Sequence, residues 1–299
     1  MKKKIIVIGG PTCIGKTDLC IKLAKNFKSE IISADARQFY KEMNIGVAKP
    51  KQNQLDQIKH HFIGHLSINK KYSIGEYEKD TLNLVEKLFK KHNLLFLCGG
   101  SGLYIDSVCE GLHQFPKVSE SIKKKIQITL EKKGITYLSN KLKLIDPETY
   151  KTIDRKNPRR VTRALEVYEV NKTPYSDYKK KPKEKRNFHT IFISLTENRE
   201  SLYKKINHRV DEMIKMGLVE EVKRLYDYQN HQALNTIGYT EIFKYLNKKH
   251  TLSEAIQEIK KNTRRYAKRQ INWFNNPKYH QFKTGEIENI IQLIKNYVL

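Results

Sequence analysis

The chain carries the sequence IIVIGGPTCIGKT at residues 5–17. Four β-branched residues, a pattern typical of a buried strand, lead directly into a glycine-rich turn. The turn ends in Gly15-Lys16-Thr17, and the next ten residues, DLCIKLAKNF, have the apolar spacing of a helix. Strand, loop and helix in this order fit the P-loop pattern G-x-x-x-x-G-K-[ST]. The stretch therefore predicts an α/β fold with a parallel sheet, and a chance match in a glycine turn is the alternative.

The spacing within this loop suits a bound phosphate chain. Glycines let successive backbone N–H groups turn toward an anion, and the helix N-terminus adds partial positive charge. The Lys16 ammonium is expected to reach the outer phosphate, and the Thr17 hydroxyl to hold Mg²⁺. Taken alone, the motif favours ATP. The residues predicted to bind the phosphates are Gly10, Pro11, Thr12, Cys13, Ile14, Gly15, Lys16 and Thr17.

Composition points to a soluble enzyme with a polyanionic partner. The 299 residues carry a formal net charge of +26, and the sequence pI is about 9.7. A charge of this size over a whole chain favours nucleic acid, although lysine-rich composition also arises from genomic bias. No apolar run approaches the roughly 20 residues that span a bilayer, so we expect no membrane segment. The absence of any CxxC spacing predicts reduced thiols in a cytoplasmic protein for Cys13, Cys20, Cys98 and Cys109.

The segment EIISADARQFY is predicted to be a second buried strand that ends at Asp35. In an open parallel sheet, residues at the carboxyl ends of strands face the ligand crevice. Asp35 should therefore lie beside the P-loop. A carboxylate that binds a ribose or caps a helix is the alternative interpretation.

A second glycine-rich turn follows the apolar strand Leu94 to Leu97 and reads Gly99-Gly100-Ser101-Gly102. Such a turn is a candidate for a second anion contact. The strand is not followed by an aspartate or glutamate, which an ATP-hydrolysing P-loop enzyme needs for Mg²⁺. This absence argues against a plain ATPase.

Residues 116–189 differ in character from the flanking segments. They contain 21 lysines and arginines against 9 aspartates and glutamates, a net charge of +12, and they lack strand patterns until their end. We predict a basic helical insertion at 116–189 within an α/β core formed by 1–115 and 190–299. Charge of one sign favours contact with a phosphate backbone, and a solvated helix face is the alternative. Residues 175–186, rich in lysine, are expected to form an exposed linker.

Two further groups of residues have open interpretations. Three histidines, His60, His61 and His65, lack the companion ligands of a metal site, which favours packing or a substrate loop. Near the C-terminus, aromatic side chains interleave with positive charge on a predicted helix, and the aromatics are more often core than base-stacking platforms. Its two basic rows are Lys260, Arg264 and Lys268, then Lys261, Arg265 and Arg269.

In six blocks of residues the sequence resembles the tRNA dimethylallyltransferases, the bacterial type of tRNA isopentenyltransferase. The resemblance covers almost the full chain, and its strength lies in the order and spacing of the blocks. They are GPTCIGKT at 10–17, SADARQFYKEMNIGVAKP at 33–50, CGGSGLYIDSVCEGL at 98–112, NPRRVTRALEVYE at 157–169, NTIGYTE at 235–241 and TRRYAKRQINWF at 263–274.

The resemblance implies a P-loop, nucleotide-kinase-like core with an inserted helical domain, and a loop that holds a diphosphate rather than ATP. It implies transfer of the dimethylallyl group of dimethylallyl diphosphate to N6 of the adenosine 3′ of the tRNA anticodon. Asp35 would be the general base, Lys16 and Arg209 would neutralise the leaving diphosphate, and Thr17 would hold Mg²⁺. Ser101 replaces the usual threonine that positions the amine, and Thr12 lies where the family contacts the allyl diphosphate.

The resemblance also implies contacts with the anticodon stem-loop of tRNA by a monomer that acts in the cytoplasm. The usual Asp-Ser of the family is Asp35-Ala36 here, so a hydroxyl that contacts the base is missing. The implied tRNA contacts are Asp35, Ala36, Arg37, Gln38, Ser101, Lys123, Arg159, Arg160, Val161, Thr162 and Arg163.

Three other functions compete with this one. An enzyme that prenylates free adenine nucleotides would share the P-loop and Asp35 but would have little use for the basic insertion. A small-molecule P-loop kinase would consume ATP. An RNA-binding protein without activity would leave four residues together without a task, namely Lys16, Thr17, Asp35 and Ser101.

Overall fold

The computed structural model describes residues 3–298 and is built around one sheet of six strands. In chain order the strands are β1 (Lys4–Gly9), β2 (Ile31–Ser33), β3 (His60–His61), β4 (Leu94–Cys98), β5 (His189–Thr196) and β6 (Tyr279–Lys283). Their spatial order is β3-β2-β4-β1-β5-β6, and every neighbouring pair is parallel. The predicted α/β fold with a parallel sheet is confirmed.

Helices connect and cover these strands. Two short 3-10 turns, Tyr226–Tyr228 and Gln232–Leu234, lie among them. The α-helices are α1 (Lys16–Asn26), α2 (Gln52–Leu55), α3 (Ile74–Leu88), α4 (Gly102–Glu110), α5 (Glu120–Ile145), α6 (Pro147–Thr152), α7 (Pro158–Asn171), α8 (Tyr175–Lys180), α9 (Arg199–Lys215), α10 (Leu218–Arg224), α11 (Tyr239–Leu246), α12 (Leu252–Phe274) and α13 (Ile287–Val298).

Strand β1 is buried on both faces, which explains why its sequence does not alternate between apolar and polar residues. Ile5 and Val7 lie in one buried cluster, whereas Ile6 and Ile8 lie in another, and all four are inaccessible to solvent. Successive side chains of a strand point to opposite faces, so helices cover the sheet on both sides. This continuous burial holds the loop that follows β1 on a rigid base.

The chain divides into two compact units. One unit is formed by residues up to 109 and from 186 onward, and the other by 110–185. The predicted limits of the insertion, 116 and 189, lie a few residues later at both ends. Arg186 explains the difference at the C-terminal boundary of the insertion. It belongs to the first unit because it donates hydrogen bonds to the carbonyl oxygens of Ser107 at 2.7 Å and Val108 at 2.9 Å, both in that unit.

The second unit consists of α5 to α8 and has its own apolar core, formed by Ile126, Leu138, Leu142, Val161, Ala164 and Leu165. Asp146 caps α6 and also accepts a hydrogen bond from the backbone N–H of Ser176 at 2.9 Å. The expectation of an exposed linker at 175–186 is wrong in its first half. Helix α8 occupies that half, and Ser176 and Tyr178 are buried there because Asp146 and apolar neighbours hold them.

The histidines of the first unit have structural contacts. The His61 Nε2 atom lies 2.6 Å from a carboxylate oxygen of Glu30, and the His65 ring packs edge-on against Phe39. Within residues 3–298, no group of three or more His, Cys, Asp or Glu side chains could hold a metal ion. No helix in the same part of the chain is long and apolar enough to cross a membrane.

Candidate functional site

Three loops meet where β1, β2 and β4 end. The backbone N–H of Ala34, after β2, donates to the carbonyl oxygen of Cys98 at 2.8 Å. A methyl group at Gly99 would lie 2.3 Å from the carbonyl oxygen of Ala34, so only glycine permits this approach. The parallel strands thus bring the P-loop, the Asp35 loop and the second glycine-rich turn to one edge of the sheet.

The P-loop residues lie between β1 and the first turn of α1. Gly15 has a φ of 93°, a left-handed conformation that glycine adopts without strain, and it precedes the first helical residue, Lys16. The Lys16 ammonium donates to the carbonyl oxygen of Pro11 at 2.8 Å. Burial lowers the pKa of this ammonium, whereas the nearby Cys98 and Asp35 raise it. The arrangement places a poorly hydrated positive charge at the start of a helix.

Asp35 lies beside that charge, as the sequence predicts. One of its carboxylate oxygens accepts a hydrogen bond from the backbone N–H of Arg37 at 3.1 Å. Burial raises the pKa of the Asp35 carboxyl, while the Arg37 N–H and the charges of Lys16 and Arg209 lower it, and the net shift is upward. A half-buried carboxylate with a raised pKa is suited to accept a proton.

Arg209 comes from α9 and completes the positive side of the site. Its Nη1 atom lies 3.4 Å from the Thr12 hydroxyl oxygen and 3.3 Å from the Cys13 sulfur. On sequence alone, an exposed arginine that forms a surface salt bridge is the simpler interpretation of Arg209. The structure instead directs its guanidinium to the P-loop.

These groups line a cleft of about 1070 Å³ in the first unit. Its walls are the P-loop, the end of β2, the segment 44–57 and the face of α9 that carries Arg209. Strand β4 reaches the cleft at Cys98, whose thiol lies 3.8 Å from the carbonyl oxygen of Lys16. A thiol therefore lies where a plain ATPase would have a carboxylate.

Ser101 lies at the edge of this cleft, on the side of Asp35. Its hydroxyl accepts a hydrogen bond from the backbone N–H of Ala36 at 3.4 Å. Burial raises the pKa of the Tyr266 phenol, which is close to Asp35 and Ser101, to about 12. The Ser101 hydroxyl thus borders the carboxylate that is suited to accept a proton.

Comparison with known proteins identifies the family. The family model described as IPP transferase matches residues 38–277. The tRNA dimethylallyltransferase of Christiangramia forsetii is 47% identical over 100% of this chain and 99% of its own length, and that of Flavobacterium johnsoniae is 44% identical over 98% of both. The chain belongs to the IPP transferase family.

Solved structures support the same assignment. The full-length tRNA isopentenylpyrophosphate transferase of Bacillus halodurans is 34% identical with a TM-score of 0.72, covering 99% of this chain and 96% of that one. A eukaryotic dimethylallyltransferase acting on tRNA is 26% identical with a TM-score of 0.85, covering 99% of this chain and 79% of that one. The predicted family, the transferase class and the P-loop kinase-like core are confirmed for this IPP transferase.

Two of the implied tRNA contacts near Asp35 are engaged within the protein. The Arg37 guanidinium donates to the carbonyl oxygens of Ala233 at 3.1 Å and Asn235 at 3.2 Å. The Gln38 amide donates to the carbonyl oxygen of Ala48 at 3.1 Å. In this IPP transferase both side chains therefore also order the loops that surround the cleft.

The implied tRNA contacts in the second unit differ in exposure. Arg159 and Arg160 are exposed at the start of α7, and Lys123, exposed near the start of α5, pairs with Glu120. The hydroxyl of Thr162, on the same turn of α7, is directed to the carbonyl oxygen of Arg159 at 3.4 Å. Exposed arginines are free to meet a polyanion.

Two members of that set are less available. Arg163 is partly covered, with its guanidinium 5.8 Å from the ring centre of Phe115 and 3.8 Å from Glu166. Val161 is fully buried in the apolar core of the second unit. The Val161 side chain therefore packs in that core rather than at the surface, and the implied tRNA contact at this position stays a prediction.

The two basic rows on α12 are also partly neutralised. Lys260 forms an ion pair with Asp211 at 2.6 Å, and Arg264 donates to the Asn207 side-chain oxygen at 2.7 Å. These contacts attach α12 to α9. Two positions of the first row are therefore engaged within the protein.

Two buried polar residues of the site have no sequence prediction. Gln270 on α12 bonds to both glycine-rich loops, and Glu221 on α10 accepts hydrogen bonds from the backbone of residues 44–46. A polar residue on the apolar face of a predicted helix is the one signal that marks such positions. Their partners, more than 150 residues away, are beyond any local pattern.

Proposed function

We propose that this protein transfers the dimethylallyl group of dimethylallyl diphosphate to N6 of the adenosine 3′-adjacent to the anticodon in tRNA, with release of diphosphate. The observation that carries the proposal is the location of Asp35 beside Lys16 in one cleft of a chain that belongs to the IPP transferase family. The N6–carbon bond forms, the carbon–oxygen bond to diphosphate breaks, and the N6 proton passes to a base.

The positive side of the cleft is suited to the leaving diphosphate. Negative charge develops on the bridging oxygen as the carbon–oxygen bond breaks, and fixed donors stabilise it best. The P-loop amides and the Lys16 ammonium supply such donors at the start of α1, and Arg209 supplies a guanidinium from the opposite wall. These groups would hold the diphosphate so that the allyl carbon faces Asp35.

Asp35 is the candidate general base. An adenine amino group is a weak nucleophile, and loss of its proton to a carboxylate during attack assists the reaction. The raised pKa of Asp35 favours proton uptake, and Ser101 beside it would orient the amine. The adenosine must leave its base stack to reach this point.

Magnesium fits this site as an ion carried by the diphosphate. Mg²⁺ keeps several waters and is usually held by substrate phosphates with one or two protein oxygens. The half-buried hydroxyl of Thr17, next to Lys16 on the cleft wall, is such an oxygen. When bound, Mg²⁺ would neutralise charge on the diphosphate. Removal of the metal with EDTA should therefore slow turnover more than it weakens tRNA binding.

The basic second unit supports tRNA as the acceptor over a free nucleotide. The net charge of +26 and the exposed arginines of α7 suit an RNA backbone, whereas adenosine monophosphate needs neither. We propose that Lys123, Arg159, Arg160 and Arg163 contact the anticodon stem, and that Asp35 to Gln38 and Ser101 surround the target base.

A labelled-donor assay tests the proposal. The protein is incubated with dimethylallyl diphosphate carrying label in the allyl group, and with tRNA, AMP or no acceptor. We expect label in tRNA, at N6 of the adenosine next to the anticodon. Label in AMP alone would reject the acceptor, and consumption of ATP with no transfer of label would favour a kinase.

A further inference from the structure

We propose that Gln270 is a positioning residue that locks the P-loop to the second glycine-rich turn, so that donor and acceptor meet in register. The inference rests on the proposed function and adds a residue to it. Gln270 lies near the C-terminal end of α12 and is 5% exposed.

Both ends of the Gln270 amide are used. Its Oε1 atom accepts a hydrogen bond from the backbone N–H of Thr12 at 2.9 Å. Its Nε2 atom donates to the carbonyl oxygen of Gly100 at 2.9 Å. One side chain thereby connects the loop after β1 with the loop after β4. The connection is independent of the sheet, whose ladder between these strands ends before either loop.

Neighbouring side chains of α12 pack at the borders of the same two loops, against the last residue of β1 and the first residue of α4. A methyl group added at Gly9 would lie 2.5 Å from the Phe274 ring, at Gly100 2.3 Å from Gln270 Nε2, and at Gly102 2.1 Å from the Trp273 indole nitrogen. Each of these glycines leaves the space that an α12 side chain fills. The segment 270–274 therefore packs across the two loops and holds them together.

The chemistry of the contact selects glutamine. The position must accept from an N–H and donate to a C=O at once, which a neutral primary amide does with one fixed orientation. A carboxylate cannot donate, and an ammonium cannot accept. Because the contact is buried, loss of either bond leaves a backbone group without its partner and lets the loops shift.

The link joins the two halves of the proposed reaction. The P-loop would hold the diphosphate, and Ser101, directly after Gly100, lies beside Asp35 and would orient the amine. A displacement of about 1 Å between reacting groups is enough to cost about 100-fold in rate. Gln270 contacts neither reacting group, so it would act through the loops it holds.

The first test replaces Gln270→Met, which keeps the length of the side chain and removes both hydrogen bonds. We expect kcat to fall about 10- to 100-fold, with the Kd for tRNA changed less than about twofold. Gln257→Met, at an exposed position of the same helix, is the matched control and should match the unaltered protein. A kcat within twofold of the control would overturn the inference.

The second test disrupts the same contact from the other loop. Gly100→Ala inserts a methyl group 2.3 Å from Gln270 Nε2 and should displace the amide. If both changes break one contact, the double variant should be no slower than the slower single variant. Multiplied losses in the double variant would overturn the link.

A binding measurement decides the inference even if the acceptor is not tRNA. Inorganic diphosphate should protect the unaltered protein from thermal unfolding, because it binds the folded P-loop. Protection should weaken at least about fivefold in apparent affinity in Gln270→Met and stay unchanged in Gln257→Met. Equal protection in both variants would contradict the inference. Failure of tRNA labelling by the unaltered protein would reject the proposed acceptor alone.

Discussion

At the scale of single residues, opposing effects act on the charged form of Asp35. Burial disfavours its charged form, while Lys16 and Arg209 favour it, and the resulting pKa lies above the ordinary value of 3.8. The pKa of Lys16 shifts in the opposite direction, because burial lowers it. Burial thus disfavours the charged form of both groups, as expected of a site that handles a proton and an anion.

Asp35→Asn tests the base. We expect kcat to fall by about 10²- to 10⁴-fold, because the amide cannot take up the N6 proton, while tRNA binding stays within about threefold. Steady-state kinetics and a filter-binding assay measure the two effects. Asp227→Asn, at an exposed position, is the control. An unchanged kcat in the Asp35→Asn variant would remove Asp35 as base.

The same substitution has a predicted effect on stability. A raised pKa in the folded state means that the native protein binds more protons than the unfolded chain above pH 3.8, so this group contributes stability that declines as pH rises through its folded pKa. At neutral pH the ionised Asp35 therefore destabilises the ligand-free fold. Thermal unfolding at pH 7 should show a higher Tm for Asp35→Asn, and a lower Tm would contradict this account.

At the scale of elements, Glu221 orders the segment that walls the cleft. It is 2% exposed, and its two oxygens accept hydrogen bonds from the backbone N–H groups of Asn44, Ile45 and Gly46 and from the Tyr239 hydroxyl, all between 2.6 and 3.1 Å. Four donors converge on one carboxylate, which replaces the pairing that a strand or helix would give this segment.

Glu221→Gln should destabilise the protein by about 2–4 kcal/mol, because an amide nitrogen would face donors at one of the two oxygen positions. Urea unfolding gives this free energy. The neighbouring Glu220 is exposed, and Glu220→Gln should change stability by less than about 0.5 kcal/mol. A Glu221→Gln variant as stable as the control would show that segment 44–46 is held by other contacts.

Asp146 is a buried carboxylate that accepts several hydrogen bonds in the second unit, as Glu221 does in the first. Burial by itself would raise the pKa of its carboxyl, but hydrogen bonds from Thr149 and Ser176 lower it below 3.8. The bonds join the start of α6 to the start of α8. They also explain why residues 175–180 form an ordered helix in a stretch whose lysines suggest a linker.

Asp146→Ala should destabilise the second unit by about 1–3 kcal/mol, because it leaves a helix cap and the Ser176 N–H without an acceptor. The lowered pKa means that the stability from Asp146 is present above the unfolded pKa of 3.8 and is lost as pH falls through the folded pKa. Hydrogen exchange of α6 and α8 amides reports the loss. Asp154→Ala, at an exposed position, serves as control.

At the scale of the whole molecule, positive charge is abundant but unequal in availability. Ion pairs and hydrogen bonds inside the protein occupy Lys260 and Arg264, and Arg37 binds backbone carbonyls. Arg159 and Arg160 remain exposed. Several positive side chains are therefore engaged within the protein, and exposure is a better guide to the contacts of a polyanion than the net charge of +26.

The double change Arg159→Ala and Arg160→Ala should weaken tRNA binding and lower the slope of log Kd against log salt by about one unit per arginine. Binding is measured over a series of salt concentrations. Lys223→Ala with Arg224→Ala removes the same charge from the exposed end of α10 and should leave the slope nearly unchanged. An equal reduction in both pairs would indicate a general charge effect rather than a contact.

The amino-acid sequence was enough to predict the parallel α/β core, the P-loop, the location of Asp35 at the end of a buried strand and the family. These follow from short patterns, since strand burial, loop glycines and helix periodicity act over a few residues. The predicted roles of Thr17, Ser101 and the arginines of α7 stay predictions.

The contacts between residues distant in the chain became known only from the folded structure. Arg209 reaches Thr12 across 197 positions, Gln270 joins two loops, and Glu221 orders a third. The same packing buries Val161 and orders α8. The physical reason is that a buried donor requires an acceptor wherever the fold supplies one, and the sequence places that acceptor at no fixed spacing.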